Sequence, residues 1–217
     1  MINVELIGVT KRIKKATVIE DVNETFLGGT IIGLKGINGS GKTMLMRLIV
    51  GLIKPTEGKV LINGKMLGKD ISFPESIGLL IENPAFLDHY SGFMNLELLA
   101  SIKQIVGPER IREVISMVDL DPDDPKHYRK YSLGMKQRLG IAAAIMESPD
   151  IIILDEPTNS LDSDGVQIVK DIINAERDRG ALVILACHDY ETLKFLSDEI
   201  IEIKKGRVVG RNKEVRV

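Results

Sequence analysis

The stretch Gly36-Ile37-Asn38-Gly39-Ser40-Gly41-Lys42-Thr43 has the residue types and spacing of a loop that wraps phosphates, G-x-x-x-x-G-K-[ST]. Its glycines let backbone N–H groups converge on phosphate oxygens. Lys42 supplies a point charge for the terminal phosphates, and the Thr43 hydroxyl is a hard oxygen for Mg²⁺. The loop follows the apolar run Thr30 to Leu34 and precedes the helix-like Met44 to Leu52, so a helix N-terminus would add its dipole at the same place. A nucleoside triphosphate suits this arrangement; the plain alternative is a glycine-rich turn.

A second constellation is Ile151-Ile152-Ile153-Leu154-Asp155-Glu156, branched apolar residues ended by two carboxylates. In open α/β sheets ligands gather outside the carboxyl ends of the strands. Asp155 can there hold Mg²⁺ directly or through water, and Glu156 can polarise an attacking water. Successive strand residues face opposite sides, and Pro157 is expected to end the strand and let both acids face the phosphates. The bland reading is a pair of solvated acids opening a turn. A third element, Tyr131-Ser132-Leu133-Gly134-Met135-Lys136-Gln137-Arg138, leads into an amphipathic helix over Leu139 to Met146, with Ser132 placed as an N-cap. That helix start would form a second anion site, more than one compact triphosphate requires from one chain. Spacing leaves open whether it serves its own chain, serves another, or only caps a helix.

These groups need a scaffold, and the composition allows one. With 217 residues, 44% of them hydrophobic, the chain can bury a full core as one domain, and a formal charge of -2 gives no bias towards nucleic acid. The lone Cys187 and the absence of a basic-then-apolar leader at Met1 lead us to expect a reducing cytoplasmic setting. Apolar runs such as Ala181 to Cys187 fall far short of the ~20 residues of a membrane helix, so a membrane role must come through a partner. Asn3 to Gly8 and Thr17 to Leu27 read as short strands, and Lys59 to Ile62, Asn63-Gly64 and Lys65 to Leu67 as a hairpin, together an antiparallel β layer. From Gly92 to Val118 the pattern is helical until Asp121-Pro122-Asp123-Asp124-Pro125 breaks it. The apolar runs Ile151 to Leu154 and Ala181 to Cys187, separated by the helix-like Asp164 to Arg179, read as buried parallel strands with a crossover helix.

With these motifs in this order, the chain resembles the ATP-binding subunit of an ATP-binding cassette transporter over essentially its whole length. Tyr131 to Met135 matches the position of the family's signature sequence, Ser160-Leu161-Asp162 its D-loop, and His188 its switch histidine. The resemblance implies an α/β fold: a P-loop NTPase core with a mostly parallel sheet, an N-terminal antiparallel β layer and an inserted α-helical subdomain at about residues 84–147. Residues 1–83 and 148–217 would form the core of this single domain. It implies that ATP binds through Gly36, Asn38, Gly39, Ser40, Gly41, Lys42, Thr43, Met44 and, at the base, Ile13. Mg²⁺ would sit on Thr43, Asp155 and Glu82. Glu156 would be the catalytic base and His188 a γ-phosphate sensor. Ser132, Leu133, Gly134 and Met135 would act across a head-to-tail dimer of this chain with itself or a homologous subunit. Integral membrane permease subunits would be the other partners, which puts the protein at the inner face of the cell membrane.

Departures from the family pattern carry their own expectations. Leu133 and Met135 stand where many members carry glycine and glutamine, and Ile13 stands where an aromatic usually stacks on adenine, so base stacking is in doubt. Glu82, in Ile81-Glu82-Asn83-Pro84, replaces the usual Q-loop glutamine; with the signature variant it resembles the branch associated with bacitracin and lantibiotic export or immunity. The alternative function is a soluble ATP-dependent clamp or regulator acting on nucleic acid or ribosomes, although neither the long coiled coil nor the second cassette of such proteins is present. Phe86, Leu87, Tyr90, Phe93 and Met94 form an apolar cluster that reads equally as core packing or as a docking surface for a membrane subunit. Cys187 reads as a buried thiol, His89 and His127 as solvated, and Lys11 to Lys15 as a solvated basic loop.

Overall fold

The computed structural model describes residues 1–82 and 84–213. Asn83 of the Q-loop segment therefore lies outside the described residues. The architecture is α/β, built on two sheets. Strands β1 (Asn3–Ile13), β2 (Ala16–Leu27), β4 (Glu57–Ile62) and β5 (Lys65–Met66) form an antiparallel sheet in the order β2-β1-β4-β5. The second sheet runs β10-β9-β3-β8-β7-β6, from β3 (Thr30–Lys35), β6 (Ile77–Leu80), β7 (Ile151–Asp155), β8 (Leu182–Ala186), β9 (Glu199–Lys204) and β10 (Arg207–Lys213). All of its pairings are parallel except β9 with β10.

The parallel sheet separates two apolar cores, and strand pleat decides which residue enters which. Ile152, Leu154, Val183 and Leu185 point into one core, and Ile151, Ile153, Leu182 and Ile184 into the other. Both faces of β7 and β8 are therefore dry, which is why these strands read as unbroken apolar runs rather than as alternation. One core lies towards the antiparallel sheet and α1 (Lys42–Ile49); the other is filled by α2 (Gly92–Lys103), α3 (Pro108–Met117), α4 (Leu133–Ile145), α5 (Ser163–Asp178) and α6 (Tyr190–Leu196).

Several element boundaries differ from the sequence-based expectation. The first two strands run longer than read, with the turn between them at Lys14, whose φ is 54°. The stretch read as one helical region from Gly92 splits in two, because Gln104 takes a left-handed conformation and Pro108 opens a new helix at its first turn. α4 begins at Leu133 rather than Leu139: Ser132 Oγ accepts from the Met135 N–H at 3.1 Å, which caps the helix ahead of the apolar run.

Candidate active site

The phosphate-type loop joins β3 to α1 at the carboxyl edge of the parallel sheet. Gly41 has φ 116°, and a Cβ there would lie 3.0 Å from the Val18 carbonyl and 2.9 Å from Ile19, so neither the torsion nor the space admits a side chain. Lys42 is 8% exposed and donates to the carbonyls of Gly36 at 2.7 Å and Ile37 at 3.4 Å. Its ammonium is thus held inside the loop whose amides would surround an anion. Ser40 is buried, and its hydroxyl has no hydrogen-bond partner among the described residues. A buried hydroxyl left unpaired costs about 1–3 kcal/mol, and this one sits in the loop that would receive phosphate. Gly36, Asn38 and Gly39 open with Ser40 onto a cavity of about 900 Å³, which His188 and Tyr190 also line.

Thr43 Oγ1 donates to Asp155 Oδ2 at 2.6 Å, joining the first turn of α1 to the end of β7. Asp155 is 8% exposed and pairs with Ala186 in the ladder, so the sheet fixes its backbone while Thr43 holds its carboxylate. A hydroxyl and a carboxylate side by side are the hard oxygen donors that Mg²⁺ takes, and the residues present fit that ion. Glu156 leaves the strand: its φ is 54°, its N–H donates to the Ala186 carbonyl at 2.9 Å, and its Oε2 accepts from the His188 N–H at 2.8 Å. This left-handed residue, rather than Pro157 alone, turns the second acid out of the alternation. Burial raises the Glu156 pKa above the ordinary carboxylate value; the His188 amide opposes that shift and neighbouring Asp155 adds to it.

The signature and D-loop residues meet away from this point. Ser132, Leu133, Gly134 and Met135 line a separate cavity of about 580 Å³ together with Ser160 and Asp162. A Cβ on Gly134 would stand 2.9 Å from the Ser160 carbonyl, so the start of α4 rests on the D-loop. Asp162 caps α5, accepting from the Gly165 N–H at 2.9 Å, while Ser160 and Leu161 also line the cavity that contains Glu156 and His188.

Other expected site residues are placed differently. Glu82 is not brought to Thr43 and Asp155; in this structure its carboxylate pairs with Arg47 of α1, a side chain the sequence reading passed over. The Met44 side chain is partly buried and packs against the core beneath the antiparallel sheet. Ile13 ends β1 at 42% exposure, opposite Ala16. Of the apolar cluster, Phe86 packs edge-on against Tyr128 at 5.3 Å, whereas Leu87, Tyr90 and Met94 are exposed. Cys187 is buried and its thiol is pushed up to about 12 by desolvation, so it stays a neutral thiol at physiological pH.

Two further residues that were given no role of their own contact the candidate site. Gly206, in the β9–β10 turn, donates its N–H to the Ser40 carbonyl at 2.8 Å and accepts from the Glu20 N–H at 2.9 Å, tying the phosphate loop to β2. Gln137, buried on α4, donates Nε2 to the Glu156 carbonyl at 2.8 Å. Gly206 had a weak signal in the turn-like Lys204-Lys205-Gly206; Gln137 stood in the signature element Tyr131 to Arg138, but nothing there pointed to Glu156.

Comparison with known proteins settles the family. Residues 19–159 match the ABC transporter family model. The chain belongs to the ABC transporter family, as an ATP-binding subunit that hydrolyses ATP. It is 49% identical over 212 residues to the uncharacterized ABC transporter ATP-binding protein YybJ of Bacillus subtilis (strain 168), covering 98% of this chain and 97% of that protein. It is 34% identical over 208 residues to the bacitracin transport ATP-binding protein BcrA of Enterococcus faecalis, covering 95% of this chain and 68% of that one. Among solved structures, the ATP-binding cassette MJ0796, in a dimeric post-hydrolysis state bound to ADP and Pi, superposes with a TM-score of 0.84 at 26% identity, over 99% of this chain and all of that one.

Proposed function

We propose that this ATPase dimerises head to tail around ATP and drives separate membrane permease subunits that export a peptide antibiotic of the bacitracin kind. The observation that carries the catalytic part is the Thr43 hydroxyl 2.6 Å from Asp155 beneath the glycine loop, with Glu156 beside it. Lys42 and the loop amides of Gly39, Ser40, Gly41 and Thr43 bind and orient the β and γ phosphates. Mg²⁺, held by Thr43 and Asp155, would neutralise charge on those phosphates. Glu156 takes a proton from water; the water oxygen bonds to the γ-phosphorus as the bond to the bridging oxygen breaks, leaving ADP and phosphate. His188, exposed at the mouth, senses the γ-phosphate. Ser132 and Gly134, opening onto their own cavity, reach the phosphates of a second subunit.

The remaining parts of the reading rest on other observations. Among the described residues no helix is long and apolar enough to cross a membrane. The pathway is assigned to partner chains, and this subunit to the inner membrane face, on its likeness to transporter ATP-binding proteins. α2 to α4, within residues 84–147, would be the helical subdomain that meets them, through the exposed Leu87, Tyr90 and Met94. The substrate class comes from likeness to the bacitracin transport protein.

Two substitutions test the core. Lys42→Ala should abolish useful ATP binding in calorimetry. Glu156→Gln should retain binding, slow hydrolysis by ~10²-fold or more, and accumulate an ATP-bound dimer in gel filtration. A monomeric Glu156→Gln peak at saturating Mg-ATP would sink the dimer.

A further inference from the structure

The placement of Glu156 depends on a side chain from another element. Glu156 is a non-glycine residue at φ 54°, directly after a strand whose pleat would otherwise turn it away from Asp155. Its N–H is held by the Ala186 carbonyl and its carboxylate by the His188 N–H, both from β8 and the loop that follows. Its own carbonyl accepts from Gln137 Nε2 at 2.8 Å and from the Asn159 N–H at 3.1 Å. Gln137 is 7% exposed, in a helix whose other buried residues are all apolar or glycine: Leu139, Gly140, Ile141, Ala142, Ala144 and Ile145. A buried amide in such surroundings is costly unless it is paired, and its donor is spent on this one peptide. The same helix begins at Ser132 and Gly134, whose cavity adjoins the D-loop.

We infer that Gln137 is a positioning residue for Glu156: it holds the peptide of the catalytic base in its left-handed turn and ties that turn to the helix that begins with the signature residues. This rests on Glu156 being the base. With the Gln137 hydrogen bond absent, the Glu156 carbonyl keeps only Asn159, a residue of the same loop, so the turn loses its tie to α4 and is held from the β8 side alone. Displacement of a catalytic group by an ångström costs up to ~10²-fold in rate while leaving substrate binding alone. Gln137 touches neither phosphate nor the loop that binds it, so its removal acts on turnover.

The test is steady-state kinetics and nucleotide calorimetry on the full chain with Mg-ATP, for Gln137→Met and Gln137→Glu. Met keeps length and helix propensity without the donor; Glu keeps shape but faces a carbonyl with an acceptor. Gln137→Met should lower kcat tenfold or more, leave the ATP Kd and thermal midpoint near wild type, and add nothing on a Glu156→Gln background. Gln137→Glu should be slower still at neutral pH. If shape alone matters, Gln137→Glu will stay closest to wild type, and that order overturns the inference. Wild-type kcat in Gln137→Met, while Glu156→Gln remains inactive, overturns the inference alone; full hydrolysis by Glu156→Gln overturns the base assignment beneath it.

Discussion

At the residue scale, the site concentrates buried polar groups whose burial costs are only partly offset. Glu156 shows how. Burial holds its carboxyl above the ordinary range, so the native state takes up a proton at a pH where the unfolded chain has already released it. Stability therefore falls as pH rises from the ordinary carboxylate pKa through the raised one, and the cost persists above it. Glu156→Gln keeps the acceptor for the His188 N–H but has no charge to bury. Its thermal midpoint should exceed wild type at pH 7–8, with the gap closing as pH drops below the ordinary carboxylate value. Melting curves across that range check this, and a constant offset would show that ionisation is not its source. Arg47 and Glu82 present the opposite case. Their pair is largely exposed on the Glu82 side and belongs to a class worth at most about 1 kcal/mol, too little to hold the Q-loop segment by itself.

At the element scale, turns and helix starts hold the proposed catalytic groups in place. The β9–β10 turn reaches over β2 to the phosphate loop through Gly206, whose φ is 79° and whose added Cβ would stand 2.6 Å from the Val18 carbonyl. Backbone cannot yield cheaply there. Gly206→Ala should lower stability by about 2 kcal/mol and weaken ATP binding several-fold, although Gly206 lies far along the chain from the loop. Denaturant melts and calorimetry read the two effects, and a variant with wild-type affinity would show that the turn does not support the loop. α4 is a second such element. Its cap at Ser132 is satisfied within the helix, and Ser132 and Gly134 line the cavity at its start.

At the scale of the whole molecule, the two proposed anion-binding features open onto different cavities, one at the phosphate loop and one at the start of α4. Under a head-to-tail arrangement each complete site would draw one feature from each subunit. Complementation tests this. Lys42→Ala disables the loop; Ser132→Asp keeps an N-cap residue but sets a carboxylate against the phosphates. Neither variant should hydrolyse ATP alone, and an equal mixture should recover activity, because one site of the mixed dimer is intact. A mixture as inactive as its components would mean that the signature residues act within their own chain.

The sequence by itself determined what is local. The phosphate loop is eight consecutive residues whose glycines and Lys42 need no distant partner to be recognised, and the dry strands β7 and β8 announce themselves as unbroken apolar runs because both faces are covered. The α/β class and the antiparallel layer follow from the same short-range periodicity, as does the Ser132 cap, although the helix it starts was read too late. Only the tertiary structure decided which side chains meet across elements. Gln137 with Glu156, Gly206 with Ser40, and Arg47 with Glu82 are contacts between segments that no periodicity relates. Glu156 is the sharpest case. Its left-handed turn is disfavoured for a residue with a side chain, and it persists because the neighbouring strand and helix hold its peptide from both sides, which a local reading of Asp155-Glu156-Pro157 has no means of showing.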